Sequence, residues 1–279
     1  MRSPFRTAKR LLQAIRLREQ VMTARTRLSL ELQKSVRLER TTNGGGQDLI
    51  LSAFDADRVA AKNPIASVRV IDHKRRPIPD EPQLPRQLLS PLDRLQKEVA
   101  AYQLLSPAAV CPGIICYENH FIASHWIQGQ RLSDSLRTRS DSLWEYLPAC
   151  LRAIRCMHNH NIVHMDLNCG NFLIPWPMDE NSATESSGAA IIDFEFAPAP
   201  ELQSPQQRGF DYLRFAHSLL KPRRGLEAVV KNPGHFVSLF EEAVSGLSVS
   251  VEGLPEYCYL RLKEFPMITT GLRRVLTTP

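Results

Sequence analysis

Apolar positions change their period several times along the chain, and each change marks an element. In KRLLQAIRLREQVM (9–22), Leu11, Leu12, Ile15 and Met22 recur near one helical face, with Arg10, Arg16 and Arg18 interspersed. That spacing predicts a basic amphipathic helix in a segment covering 1–27. From Leu28 the period shortens to two: Leu28, Leu30, Leu32, Val36 and Leu38 all fall on even positions, which predicts a strand. TTNGGGQ (41–47) interrupts as a turn or loop, and QDLILSAF (47–54) predicts a second strand. DADRVAAKNP (55–64) reads as another turn, and ASVRVIDHK (66–74) predicts a third strand.

The Pro-rich stretch 75–91 predicts a loop. PLDRLQKEVAAYQLL (91–105) returns to helical spacing through Leu92, Leu95, Val99, Tyr102 and Leu105. Two short strands are expected in 113–127, and a helix over 142–160 that Pro148 kinks or starts late. FLIPW (172–176) predicts a short strand and MDENSATESSG (178–188) a polar insertion. AAIIDFEFA (189–197) predicts one apolar strand ending in Asp193 and Glu195, and the chain from Phe210 onward reads as mostly helical.

Charge sharpens this picture. Residues 1–40 carry eleven Lys or Arg against three Glu, a net +8, so the other 239 residues carry about −2 of the total +6. The basic character therefore belongs to the N-terminal segment. Such a helix suits an anionic membrane surface, or a solvated helix packed on the domain. No aromatic residues alternate with its basic ones, so no nucleic-acid partner is expected. A mitochondrial presequence is a third reading of the Arg-rich start. No run of eighteen apolar residues appears, and no secretory h-region, which predicts a cytoplasmic protein. The six cysteines match no zinc spacing and read as reduced thiols.

The chemistry concentrates in HNIVHMDLNCGNFLI (160–174). Asp166 and Asn171 stand five residues apart on a predicted loop, and Asp193 stands near the end of the apolar strand that follows. Phosphoryl transfer from ATP needs a carboxylate to orient the attacking hydroxyl and hard oxygen ligands for Mg²⁺. The three residues offer both. A lone His-x-Asp-x-x-x-x-Asn arises by chance in many proteins; it gains weight here from Ile192-Asp193-Phe194 after an apolar run and from a Glu-bearing helix upstream.

HMDLNCGN resembles the catalytic loop of the protein kinase superfamily, and IDFEF resembles its metal-binding segment. The resemblance covers roughly residues 28–220. Within the superfamily it extends to the lipopolysaccharide core kinases of the Kdo kinase type, whose loop is close to His-Ala-Asp-Leu-Asn-x-x-Asn. His164, Asp166, Leu167, Asn168 and Asn171 match that loop, and Ile192, Asp193 and Phe194 match the metal segment, with Glu195 in place of its final Asp. Protein kinases usually carry Lys where Asn168 stands, and only 86 residues follow Asp193.

The resemblance implies an α+β, bilobal protein-kinase-like fold, with a small antiparallel N-lobe over 28–127 and a mainly helical C-lobe over 128–279. It implies ATP and Mg²⁺ as cofactors. Asp166 would be the catalytic base, His164 would brace the loop, and Asn171 and Asp193 would hold the metal. Glu98 would pair with a strand-three lysine, placed at Lys74 or, through VAAK, at Lys62. The main chain of Ser124, His125 and Trp126 would meet the adenine, and Gly44, Gly45 and Gly46 would approach its phosphates. Asp211 would support the catalytic loop from below. The implied activity is transfer of phosphate to a sugar hydroxyl of a lipopolysaccharide-type glycolipid, at the cytoplasmic face of the membrane. The alternatives are a serine/threonine protein kinase and a non-catalytic pseudokinase acting as a binding module.

Overall fold

Alternation in strand residues 66–70 decides which side of the first sheet is greasy. Ala66, Val68 and Val70 are fully buried, while Ser67 and Arg69 between them are half-buried on the opposite face. The protein, here a computed structural model, is described at residues 4–41, 48–58, 63–71, 84–176 and 188–277, with side chains from Ala14 on. In chain order the elements are α1 (Pro4–Leu32), β1 (Val36–Arg40), β2 (Leu49–Asp55), β3 (Ala66–Val70), β4 (Arg86–Leu88), α2 (Pro91–Leu105), β5 (Ile114–Glu118), β6 (Phe121–His125), β7 (Gly129–Arg131), α3 (Leu132–Thr138), α4 (Leu143–Asn159), β8 (Phe172–Pro175), β9 (Ala190–Ile191), β10 (Phe196–Pro198), α5 (Ser204–Leu219), α6 (Leu226–Lys231), α7 (Pro233–Val244) and α8 (Pro266–Val275). The class is α+β. Contacts divide the chain into two units.

The first unit comprises Met1–Ile78, Leu89–Gln103 and Pro112–Trp126. Its sheet has the order β1-β2-β3-β6-β5, with every pair antiparallel. Helix α1 packs on the face that Val68 presents. Ala24 and Leu28 are fully buried with Val36, Leu51, Ala53, Val68, Phe121 and Ala123, and Leu17, Val21 and Leu32 pack around them. Burying a leucine fully is worth about 1.5–3 kcal/mol, which fixes this half of the helix to the sheet. The Arg25 Nε–H donates to the Val36 carbonyl at 2.6 Å and ties the helix to β1.

This corrects two expectations. The basic segment does not end as a separate piece at residue 27, because α1 continues to Leu32 and its second half belongs to this core. The strand expected from Leu28 begins only at Val36. Leu28 and Leu32 are four apart, which serves a helix as well as an even-numbered strand face, and Leu30 is 65% exposed.

The second unit comprises Pro79–Leu88, Leu104–Cys111 and Ile127–Pro279. Its core is aromatic: Phe172, Phe210, Tyr212, Phe215, Phe236 and Phe240 are all under 2% exposed. Phe172 and Phe215 meet at 4.8 Å between ring centroids and Phe236 and Phe240 at 4.9 Å, within the range of favourable aromatic pairs. Two small antiparallel sheets frame it, β7-β8-β9 and β4-β10. Gly129 must be glycine, since a Cβ there would collide with the Ile174 carbonyl across the β7–β8 pair. The single apolar strand expected over 189–197 is broken into β9 and β10, and Asp193 sits in the break with φ of 78°. No helix among the described residues is long and apolar enough to cross a membrane.

Candidate active site

The loop between α4 and β8 is built on one buried carboxylate. Asp211, on α5, is fully buried. Its Oδ1 accepts the Met165 main-chain N–H at 2.7 Å and its Oδ2 accepts that of His164 at 2.9 Å. Oδ2 also takes the Nε2–H of His158, the penultimate residue of α4, at 3.1 Å. A carboxylate stripped of water needs such donors. Together they hold Met165 at φ of 67°, a left-handed conformation that costs a non-glycine residue on the order of 1–3 kcal/mol. The turn this forces places Asp166 at the head of the loop. Asp211 thus braces the loop from α5.

His164 uses both ring nitrogens structurally. Its Nδ1 accepts the Asp166 N–H at 3.2 Å, so the proton is on Nε2, which donates to the Ile192 carbonyl at 3.0 Å. Its ring also lies 4.7 Å from that of Phe194. His164 thus joins the loop to the Asp193 segment.

The amides complete the loop. Asn168 Nδ2 and Asn171 Nδ2 both donate to the Asp166 carbonyl, at 3.0 and 3.1 Å, and Asn168 Oδ1 accepts the Gly170 N–H at 2.9 Å. With its nitrogen so committed, Asn171 keeps Oδ1 as its oxygen donor. The Ile192 N–H donates to the Asn171 carbonyl at 3.0 Å, which brings Asp193 to within one residue of that contact. The Asn171 amide and the Asp193 carboxylate thus belong to two segments that this main-chain hydrogen bond joins. Among the described residues no three His, Cys, Asp or Glu side chains form a metal cage. A two-residue oxygen set suits Mg²⁺, which binds through one or two carboxylates plus waters and substrate phosphates, so the donors fit the implied ion. Asp193 itself has positive φ, a strain that collects at functional sites.

Two arginines that the sequence reading did not single out meet at Asp166. Arg86 and Arg214 both reach its Oδ1, Arg214 through Nε and Nη2 at 3.2 Å each. Arg86 also lies 3.9 Å over the Phe196 ring, which fixes it from the far strand of the β4–β10 pair. Asp166 Oδ2 has no hydrogen-bond or ionic partner among the described residues. Arg214 had a signal in the sequence, since it follows Asp211 by three on one helix and so shares its face. Arg86 had none, because it sat in a stretch read as loop.

The first unit carries its own buried charge cluster. Arg69, on β3, donates from Nη1 to Glu98 Oε2 and from Nε to Asp48 Oδ2, both at 2.8 Å. Arg94 reaches Asp48 Oδ1 at 3.4 Å. All four side chains are at most 11% exposed. An arginine of β3 is thus among the partners of Glu98. Lys74 and Lys62, the two lysines proposed for that role, lie outside the described residues, as do Gly44, Gly45 and Gly46. A charged residue between the two buried valines of ASVRV was the overlooked signal.

At the end of β6, Ser124 is buried and Trp126 is 36% exposed. The His125 N–H donates to the Gly113 carbonyl at 2.8 Å and the Trp126 N–H to that of Ile65 at 3.3 Å. Both amides are committed to the sheet, so any adenine contact there must use other main-chain groups. No family model matches the chain, and no curated protein matches it.

Proposed function

We propose that the protein is an ATP- and Mg²⁺-dependent phosphotransferase acting on a hydroxyl-bearing acceptor, with a bilobal protein-kinase-like arrangement. The observation that carries this reading is the braced loop. Asp211 and His164 hold Asp166 with one carboxylate oxygen clamped by Arg86 and Arg214 and the other open, on a loop that also carries Asn171 and is hydrogen-bonded to the residue before Asp193. The α+β make-up and the motif resemblance support it.

In this reading, Asp166 Oδ2 accepts the hydrogen bond of the acceptor hydroxyl and orients its oxygen toward the γ-phosphorus of ATP. The new O–P bond forms as the bond to the β-phosphate oxygen breaks, ADP leaves, and the hydroxyl proton passes to Asp166 and on to solvent. The Arg pair keeps the carboxylate from rotating. Mg²⁺ supplies charge neutralisation on the phosphates, and Asn171 and Asp193 would hold it.

The acceptor we propose is a sugar hydroxyl of a lipopolysaccharide-type glycolipid, with the basic N-terminal helix against an anionic, cytoplasm-facing membrane surface. One observation favours a second reading, a non-catalytic binding module: two arginines already occupy Asp166 Oδ1. Incubation with γ-labelled ATP, Mg²⁺ and a bacterial membrane extract decides between them, with Asp166→Ala as control. Label in glycolipid that the variant loses supports the proposal. Label confined to protein makes it a protein kinase. Absence of Asp166-dependent label in any fraction, soluble molecules included, leaves the binding module.

A further inference from the structure

Beyond Asp211, helix α5 turns a row of basic groups toward the loop. Arg214, His217 and Lys221 follow at three- and four-residue steps, which is one helical face continued into the turn after α5. That face abuts the loop directly: the Cys169 N–H donates to Ser218 Oγ at 3.0 Å, and Arg224 Nη1 lies 3.4 Å from Cys169 Sγ. Arg261 joins from the segment before α8. Burial, and then Arg214, Lys221 and Arg261, push the His217 imidazole down to about 4. Burial, and then Arg214 and Arg224, lower the Lys221 ammonium. These groups are near neighbours, and each is only partly exposed.

Their compensation is thin. Among the described residues the only acid within ion-pair distance of Arg214 is Asp166, and Lys221, Arg224 and Arg261 form no salt bridge at all. Of these four partly buried cations Arg214 alone reaches a carboxylate, so positive charge is in surplus on the α5 side of the loop that carries Asp166. Such a surplus is tolerated where a ligand brings the missing anion.

We propose that this face, formed by Arg214, Lys221, Arg224 and Arg261, is a subsite for an oxyanion carried by the acceptor. The phosphate or carboxylate would sit on the same molecule as the hydroxyl that Asp166 orients. The acceptor class is then a sugar phosphate or sugar acid, either free or as a lipid headgroup. His217, uncharged at neutral pH, adds a hydrogen-bond group to the subsite. The word acceptor rests on the phosphotransferase reading; the capture of an oxyanion does not.

The test uses the full chain and inorganic phosphate as the probe, titrated calorimetrically with and without saturating Mg-ADP. The wild type is expected to bind phosphate with Mg-ADP present. The double variant Lys221→Gln/Arg261→Gln should bind it at least about tenfold more weakly, the loss of one or two charged hydrogen bonds. Its affinity for Mg-ADP should be unchanged, and Lys221→Arg should retain phosphate binding. Equal phosphate affinity in the double variant overturns the subsite. A parallel fall in Mg-ADP affinity also overturns it, because the cations would then serve the nucleotide. If wild type takes phosphate but no Mg-ADP, the phosphotransferase reading fails while the subsite stands. Glucose 6-phosphate and phosphatidylcholine vesicles containing phosphatidylglycerol then separate the sources. The probe whose binding the double variant loses identifies a free or a lipid-borne anion, and loss with neither rejects the proposal.

Discussion

The carboxylate of Asp211 and the main chain of Met165 are 46 residues apart in sequence and 2.7 Å apart in space. That one contact, doubled at His164, sets the loop that carries Asp166. Replacing Asp211 with Asn puts an N–H donor against main-chain donors in a site sealed from water. The expected loss is about 3–5 kcal/mol, the range for breaking a buried charged network. Urea midpoints of wild type and Asp211→Asn measure it; a loss under 1 kcal/mol would mean that the loop does not depend on this residue.

Arg69 should matter to the first unit in the same way. Arg69→Met takes the β3 guanidinium from Glu98 and leaves Asp48 to Arg94, at a cost of about 3–5 kcal/mol. Glu98→Gln in the same background should cost less than it does alone, because the charge it removes has already lost the Arg69 contact. A double-mutant cycle in denaturant reads the coupling, and additive effects would show that the 2.8 Å contact carries no energy.

Two glycine substitutions should have opposite signs. In α5, a Cβ at Gly209 would run into the Ser250 carbonyl, whereas one at Gly234 in α7 meets nothing within 4 Å. Gly209→Ala should therefore destabilise by at least about 1–3 kcal/mol. Gly234→Ala should be neutral or stabilise by up to about 1 kcal/mol, from helix propensity alone. Thermal melts of the two variants check both.

His217 predicts an acid-sensitive term. Its folded pKa is held near 4, below its ordinary 6.5, chiefly by burial. The unfolded chain therefore takes up a proton over that window which the folded protein refuses. The contribution is fully present above pH 6.5 and is lost progressively as the pH falls toward 4. His217→Gln should lose less stability than wild type between pH 7.5 and 4.5. Equal losses would place the sensitivity in other groups.

What could be read from sequence followed the distance over which each feature is determined. His164, Asp166, Asn168 and Asn171 lie within eight residues, and the loop's hydrogen bonds run largely between them. Helices α2 and α4 likewise declared themselves through local spacing. Arg86 did not, because its place depends on the pairing of β4 with β10 and on the Phe196 ring, far along the chain. The run AAIIDFEFA reads as one strand because its hydrophobicity is continuous, yet backbone strain at Asp193 divides it, and no side-chain pattern records a φ angle. At Leu28 two periods coincide, and only the sheet beneath it selects the helix.

Helix α1 has a mechanical consequence. It is one uninterrupted rod of 29 residues, about 43 Å at 1.5 Å per residue. Its carboxy-terminal half is cemented into the first unit through Ala24 and Leu28. Whatever grips the other half therefore gains a rigid handle on that unit: it aims the sheet as well as tethering it, with no swivel in between.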